Sequence, residues 1–208
     1  LQANWPMPLA ILAALFAGVL LGGFNGVLIS FGKLPPFIAT LGLMSLGRGA
    51  TLLLTEGRPL SGFTSSFRAL ATSTWLYVPT PVWIMLIVYG LAQFMLAQTR
   101  HGRYVYAMGG NEEAARLSGI DIRFHKTLVY AFSGLTSAIA AIILTARLNS
   151  AQPIAGLMYE LDAIAATVIG GTSLLGGSGT LLGTLLGALI MGVLRNGLNL
   201  LGVSSFLQ

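Results

Sequence analysis

Charge is the scarcest commodity in this sequence. Of 208 residues, 8% are Asp, Glu, Lys or Arg, where a soluble domain carries roughly 25%. Cysteine is absent altogether, which excludes a disulfide framework, a thiolate metal site and a thiol redox centre. Histidine is limited to His101 and His125, and neither belongs to a His-x-x-x-His pair or a His/Asp/Glu cluster at metal-ligand spacing. Both are expected to be solvated loop residues, and no metal or other cofactor is expected. The eleven Lys and Arg outnumber the acids to give +5, but they are spread out and lack interleaved aromatics. That balance reads as loop charge at a membrane surface and not as a nucleic-acid site.

What the chain has in excess is apolar surface, 55% of residues, and glycine, 27 of them. A bilayer core of about 30 Å takes about 20 apolar residues per helix. The length therefore accommodates about six crossings and leaves no room for a soluble catalytic domain. The expected fold is all-α, a polytopic transmembrane helical bundle of about six membrane segments, one of them short or broken and Gly-rich. The ends at Leu1 and Gln208 lack a natural start or stop pattern, so a piece of a longer protein is expected.

Pro8 to Ile29 reads as the first span, with Gly18, Gly22 and Gly26 on one smooth face suited to close helix packing. After Pro35-Pro36, Phe37 to Thr55 forms a second span interrupted by Gly42, Gly47, Arg48 and Gly49. A charge at the depth of Arg48 is costly unless it snorkels or faces a wet cavity. Glu56 to Thr80 reads as a surface loop with an interfacial anchor at Trp75-Leu76-Tyr77, and Pro81 to Gln98 as a third span.

Thr99 to Lys126 holds Arg100, Arg103, Arg116, Arg123 and Lys126, so the positive-inside rule makes this loop cytoplasmic. Alternation then puts Glu56–Thr80 outside, against the charge of Arg58 and Arg68, and runs Thr127–Ala146 outward. Glu160 to Gly176 is too short for an ordinary span, and either crosses steeply or stops partway as a broken helix lining a cavity. Gly179 to Leu201 is the last span, with Gly179, Gly183 and Gly187 as a second packing face.

Few groups remain to carry chemistry. The glycine-rich stretch from Gly170 to Gly179 lacks the Gly-Lys-[Ser/Thr] ending and the preceding strand of a phosphate loop, so it reads as a tight hinge. Glu160 and Asp162 either cap their helix or line an outer mouth. Asn25, Asn196 and Asn199 are either interhelical glue or lining of a path, as Arg48 also is. Within the polar loop, Asn111 is placed as an N-cap, Glu112 and Glu113 as first-turn acids and Gly119 as the helix stop, which predicts a two-turn helix ending near Ile120. So short a helix is marginal alone, and a partner protein on the cytoplasmic face would hold it.

Glu113-Ala114-Ala115 followed by Gly119 resembles the "EAA" coupling loop of ATP-binding-cassette importer permeases. Phe37-Ile-Ala-Thr-Leu-Gly42 with Arg48-Gly49, Gly102-Arg103-Tyr104 leading to Gly109-Gly110-Asn111-Glu112, and Ala146-Arg147-Leu148 with Ser150-Ala151-Gln152-Pro153 extend the likeness. So do Tyr159-Glu160-Leu161-Asp162-Ala163-Ile164-Ala165-Ala166, Gly170-Gly171-Thr172-Ser173 and Asn196-Gly197-Leu198-Asn199-Leu200-Leu201-Gly202-Val203. In this order they resemble the ribose/monosaccharide permease family over essentially the whole chain. Branched-chain amino-acid permeases are relatives, but these blocks look more like the sugar branch. Family members are longer at both ends.

The resemblance implies a single transmembrane permease domain, residues 1–208 as a fragment, in the cytoplasmic (bacterial inner) membrane, with residues 99–126 as its cytoplasmic coupling loop. Asn111, Glu112, Glu113, Ala114, Ala115, Arg116 and Gly119 would meet a separate ATP-binding-cassette ATPase. A periplasmic or extracellular sugar-binding protein would deliver a monosaccharide, ribose-like pentoses favoured, and a second copy of the permease would complete the pore. The chain itself would be no enzyme. The competing reading is a secondary transporter or channel for a small polar solute, working without ATP. Its mark would be an intramembrane proton relay, for which Arg48 lacks an obvious acidic partner.

Overall fold

The computed structural model describes residues 6–203. Nine helices are formed among them: α1 (Met7–Ser30), α2 (Pro36–Thr55), α3 (Ser65–Thr72), α4 (Thr80–Gln98), α5 (Arg100–Gly110), α6 (Glu112–Leu117), α7 (Ile122–Leu148), α8 (Tyr159–Ile169) and α9 (Leu181–Leu200). Five of these, α1, α2, α4, α7 and α9, are long and apolar enough to cross a membrane. The sixth expected segment is the short one. With 11 residues α8 rises only about 16 Å at 1.5 Å per residue, about half of a bilayer core, so this helix is too short to cross by itself. Among the described residues, extended structure is limited to two-residue ladders: β1 (Leu60–Ser61) pairs antiparallel with β4 (Ser150–Ala151), and β2 (Thr74–Trp75) with β3 (Val78–Pro79).

The described chain packs as two compact units, one comprising residues up to Leu91 with Asp121–Ala155, the other Ala92–Ile120 with residues from Gly156 onward. In the first, α1 and α7 run antiparallel and supply most of the packing. A Cβ on Gly18 would lie 2.6 Å from the Gly134 carbonyl oxygen and 2.6 Å from Ala138 Cβ, and one on Gly26 would lie 2.7 Å from Thr127 Cα. At Gly22 it would run into the Tyr130 carbonyl and the Gly134 backbone. The smooth face of α1 is thus occupied, and its counterpart on α7 is Gly134. At the far end of the pair Arg123 sits over the Phe31 ring at 5.3 Å, a cation–π contact.

In α2 the glycines do not interrupt the helix, which runs unbroken from a proline-started first turn to a left-handed stop at Glu56. The Glu56–Thr80 loop is more ordered than its composition implies. Its Ser/Thr cluster forms α3, which packs on α7, and Trp75 meets Trp83 with ring centroids 5.3 Å apart. In the second unit, α8 and α9 form an antiparallel hairpin, with Gly183 against the Gly170 backbone and Gly187 against Ala166.

Three expectations need correction. Gly179 is not on the α9 face: the helix starts at Leu181 behind the N-cap Thr180, and Gly179 sits in the preceding turn at φ +152°, against Thr172. Spacing of four counts as a face only inside a helix. His125 is no solvated loop residue. The α7 span begins at Ile122, five residues before Thr127, because the Asp121 carboxylate caps it by accepting from Phe124 N–H at 3.1 Å. His125 is thereby carried into the first turn of the helix and buried, with Nδ1 2.8 Å from the Asp121 carbonyl oxygen. The Thr99–Lys126 stretch, finally, is mostly helical, taken up by α5, α6 and the start of α7.

Candidate functional sites

The most completely built feature is the α5–α6 corner. The Thr99 side chain caps α5 by accepting from Gly102 N–H, and α5 ends on Gly109-Gly110. The chain then turns through Asn111, extended at φ −155°, whose Oδ1 accepts from Ala114 N–H at 2.9 Å. Glu112 and Glu113 occupy the first turn of α6, where the helix dipole favours them, and Arg116 sits in its last turn and bonds Glu113 at 2.5 Å. Both partners of that pair are largely exposed, so it adds little to stability.

The stop is a complete two-bond C-terminal motif. Gly119, at φ +84°, donates to the Arg116 carbonyl at 3.0 Å, and Ile120 donates to the Ala115 carbonyl at 3.2 Å. Ala115 is buried, while Leu117 is 80% exposed. Six residues with both ends capped give a rigid knob whose polar rim and one large apolar side chain point outward. The geometry suits docking and offers no arrangement of nucleophile, base and acid.

A second candidate lies in the first unit, an open cavity of about 1130 Å³ walled by α1, α2, α3 and α7. Among the described residues its lining holds no charged side chain, and the polar members are Asn25, Thr40, Thr64, Tyr130, Ser133, Ser137 and Thr145. Asn25 is 8% exposed and its Oδ1 has no hydrogen-bond partner among the described residues. Phe63 and Phe67, ring centroids 5.1 Å apart, contribute aromatic surface. Arg48, in the same unit, is not part of this lining. It is half-exposed on α2 and has no ion-pair partner among the described residues.

The remaining path candidates belong to the second unit and do not converge there. Glu160 is exposed at the start of α8, and Asn196 and Asn199 are exposed on α9. Asp162 has a defined role. Its two oxygens accept from Arg195 Nη1 at 2.7 Å and Nη2 at 2.6 Å, a bidentate pair tying the first turn of α8 to the last part of α9. Sequence reasoning missed Arg195. The signal was there, since it is the one ionisable residue in the Gly179–Leu201 span and intramembrane charge needs a partner.

Comparison with known proteins supplies the context for these features. The chain is 52% identical over 207 residues to the ribose import permease protein of Haemophilus influenzae, covering 98% of this chain and 64% of the relative. It is 55% identical over 203 residues to that of Escherichia coli K12, covering 96% and 63%. The D-allose transport system permease protein of Escherichia coli K12 is 41% identical over 201 residues, covering 95% and 62%. The chain thus spans somewhat under two thirds of the length of these curated relatives. No solved structure matches it. With five spans and permease relatives, it is a multi-pass protein of the cell membrane. A family model matching residues 1–208 completes the assignment: the chain belongs to the family described as the permease component of the branched-chain amino acid transport system.

Proposed function

We propose that this chain is the membrane-spanning permease subunit of an ATP-driven importer, carrying a monosaccharide into the cell, with ribose the favoured substrate. The observation that carries the reading is the 52–55% identity to ribose import permeases over nearly the whole chain, against 41% to the D-allose permease. The α6 knob supports the ATP-driven form. A short, doubly capped helix with exposed Leu117 fits a groove on a separate ATP-binding-cassette ATPase. In this reading residues 1–208 act as one permease domain, residues 99–126 face the cytoplasm as the coupling loop, a sugar-binding protein delivers substrate from outside, and a second permease copy completes the pore. The uncharged cavity suits a neutral polyol: hydroxyl and amide groups match sugar hydroxyls, and Phe63 and Phe67 offer surface for the ring's C–H face. Asn25 belongs to that path; Arg48, Glu160, Asp162, Asn196 and Asn199 remain candidates for its approaches.

The test is reconstitution of the complete permease with its ATPase and binding protein in vesicles. Ribose-loaded binding protein is expected to stimulate ATP hydrolysis and ribose uptake together. Glu113→Lys, which puts positive charge at the positive end of α6, and Gly119→Val, which forces a branched side chain into φ +84°, should fold normally and abolish that stimulation. Ribose uptake that proceeds without ATP would replace this reading with a secondary transporter. Orientation is read separately. A membrane-impermeant thiol reagent on intact cells should label Ser65→Cys and spare Arg116→Cys, and the reverse pattern inverts the topology.

A further inference from the structure

The glycine-rich turn between α8 and α9 is not merely a hinge. Gly171, Gly176, Gly177 and Gly179 all have positive φ, and Ser173 N–H donates to the Ser178 carbonyl at 3.0 Å, so residues 170–180 fold into a compact knuckle. That knuckle is seated on the end of α5. A Cβ on Gly109 would lie 2.5 Å from Gly177 N, one on Gly176 2.5 Å from the Gly109 carbonyl oxygen, and one on Gly177 2.8 Å from Gly110 Cα. The Tyr106 hydroxyl adds a tie by donating to the Gly179 carbonyl at 2.9 Å. The space a side chain would need at Gly176 and Gly177 is filled by the backbone of α5.

We propose that Gly109, Gly176, Gly177 and Tyr106 form the joint through which α6 moves the α8–α9 hairpin. The proposal rests on the reading of α6 as the element that meets the ATPase. The joint is one residue from the knob, since Gly110 is followed by Asn111, whose side chain caps α6. At the glycines contact is backbone on backbone, and a side chain that could change rotamer to absorb a displacement is absent from all three. Close-packed elements transmit displacement where soft ones dissipate it. Beyond the joint the same tightness continues, through Gly183 on Gly170 and Gly187 on Ala166 to the bidentate Asp162–Arg195 pair. A push on α6 therefore reaches the hairpin as a whole.

The built-in control is Gly110. A Cβ there meets nothing within 4 Å, so Gly110→Ala changes helix propensity at the same place without putting an atom into the joint. In the complete permease reconstituted with ATPase and binding protein, Gly109→Ala is expected to retain co-purification of the ATPase and to lose about tenfold in sugar transported per ATP. Tyr106→Phe should lose less in the same direction, and Gly110→Ala nothing. Hydrogen exchange on the permease alone reads the joint without transport: amides of residues 170–180 should exchange faster in Gly109→Ala and not in Gly110→Ala. Wild-type transport per ATP in both Gly109→Ala and Tyr106→Phe overturns the proposal, as does equal damage from Gly110→Ala. Should Gly109→Ala fail to insert, Tyr106→Phe, which removes one hydroxyl, decides. A wild-type complex without ATP-linked uptake overturns the underlying reading, and with it the transmission role, while the exchange result still reports whether the knuckle is seated.

Discussion

Two antiparallel helix pairs, α1–α7 in one unit and α8–α9 in the other, solve the same problem with different means. Both bring backbones together by omitting side chains, Gly18, Gly22 and Gly26 against Gly134 in the first and Gly183 and Gly187 against Gly170 and Ala166 in the second. In α1–α7 the partners are 24 and 27 residues long, and small residues suffice with two weak contacts at one end, Arg123 over the Phe31 ring and the Thr127 hydroxyl donating to Ser30 Oγ at 3.5 Å. In α8–α9 the contact is limited by the 11 residues of α8, and a bidentate ion pair is added. Between helices in lipid the hydrophobic effect supplies no drive, so association depends on close packing and polar ties. A pair with less length to pack has more use for the tie.

The largest effect should come from filling the longer interface. Gly22→Leu drives a side chain into the backbone of Tyr130 and Gly134, where rotamer changes give no relief, and is expected to cost about 3 kcal/mol or more. Gly183→Leu meets the Gly170 backbone in the same way but can splay only a short hairpin. Thermal midpoints and the yield of monodisperse protein should fall in that order, with Leu20→Ala, at a position 54% exposed, near wild type. A larger loss from Gly183→Leu would reverse the ranking of the two interfaces.

The next effect isolates the tie. Arg195→Ala leaves Asp162 facing an empty partner position, and with side chains 49% and 30% exposed the pair is partly screened. The expected loss is about 1–2 kcal/mol, between that of exposed and buried pairs. Adding Asp162→Asn to Arg195→Ala should restore most of it, which a double-mutant cycle on thermal stability reads directly. Additive losses would mean that the two side chains do not support each other.

The difference between what was legible and what was not follows the range of the interaction. The α6 knob was readable because Asn111, the first-turn acids and Gly119 act within one or two turns of their own positions. The glycine face of α1 was readable from spacing, but Gly134, a single glycine in its span, shows no spacing to detect. The Asp162–Arg195 pair spans 33 residues, and the seat of Gly176 on Gly109 spans 67 positions; neither leaves a periodic trace. Gly179 misled because a count of four ran on through a turn into a helix that had not begun. His125 misled because the Asp121 cap starts α7 before the polar stretch ends.

The smallest effect sharpens the comparison most, because it asks whether glycine in a span means contact at all. Gly42, Gly47 and Gly49 of α2 resemble the α1 glycines in type and setting, yet a Cβ on any of them meets nothing within 4 Å. Gly42→Leu should therefore change stability by less than about 0.5 kcal/mol, as substitutions away from packed features do. A small gain is the expected sign, since leucine is the better helix former. The comparison to make is Gly42→Leu against Gly22→Leu, in the same membrane or detergent and by the same thermal assay. A midpoint near or above wild type for the first and a collapse for the second would show that the partner backbone, and not the glycine, defines a packing face. If Gly42→Leu fell as far as Gly22→Leu, the α2 surface would itself be covered in the membrane, and α2 would join α1 as a helix whose glycines are there to be packed against.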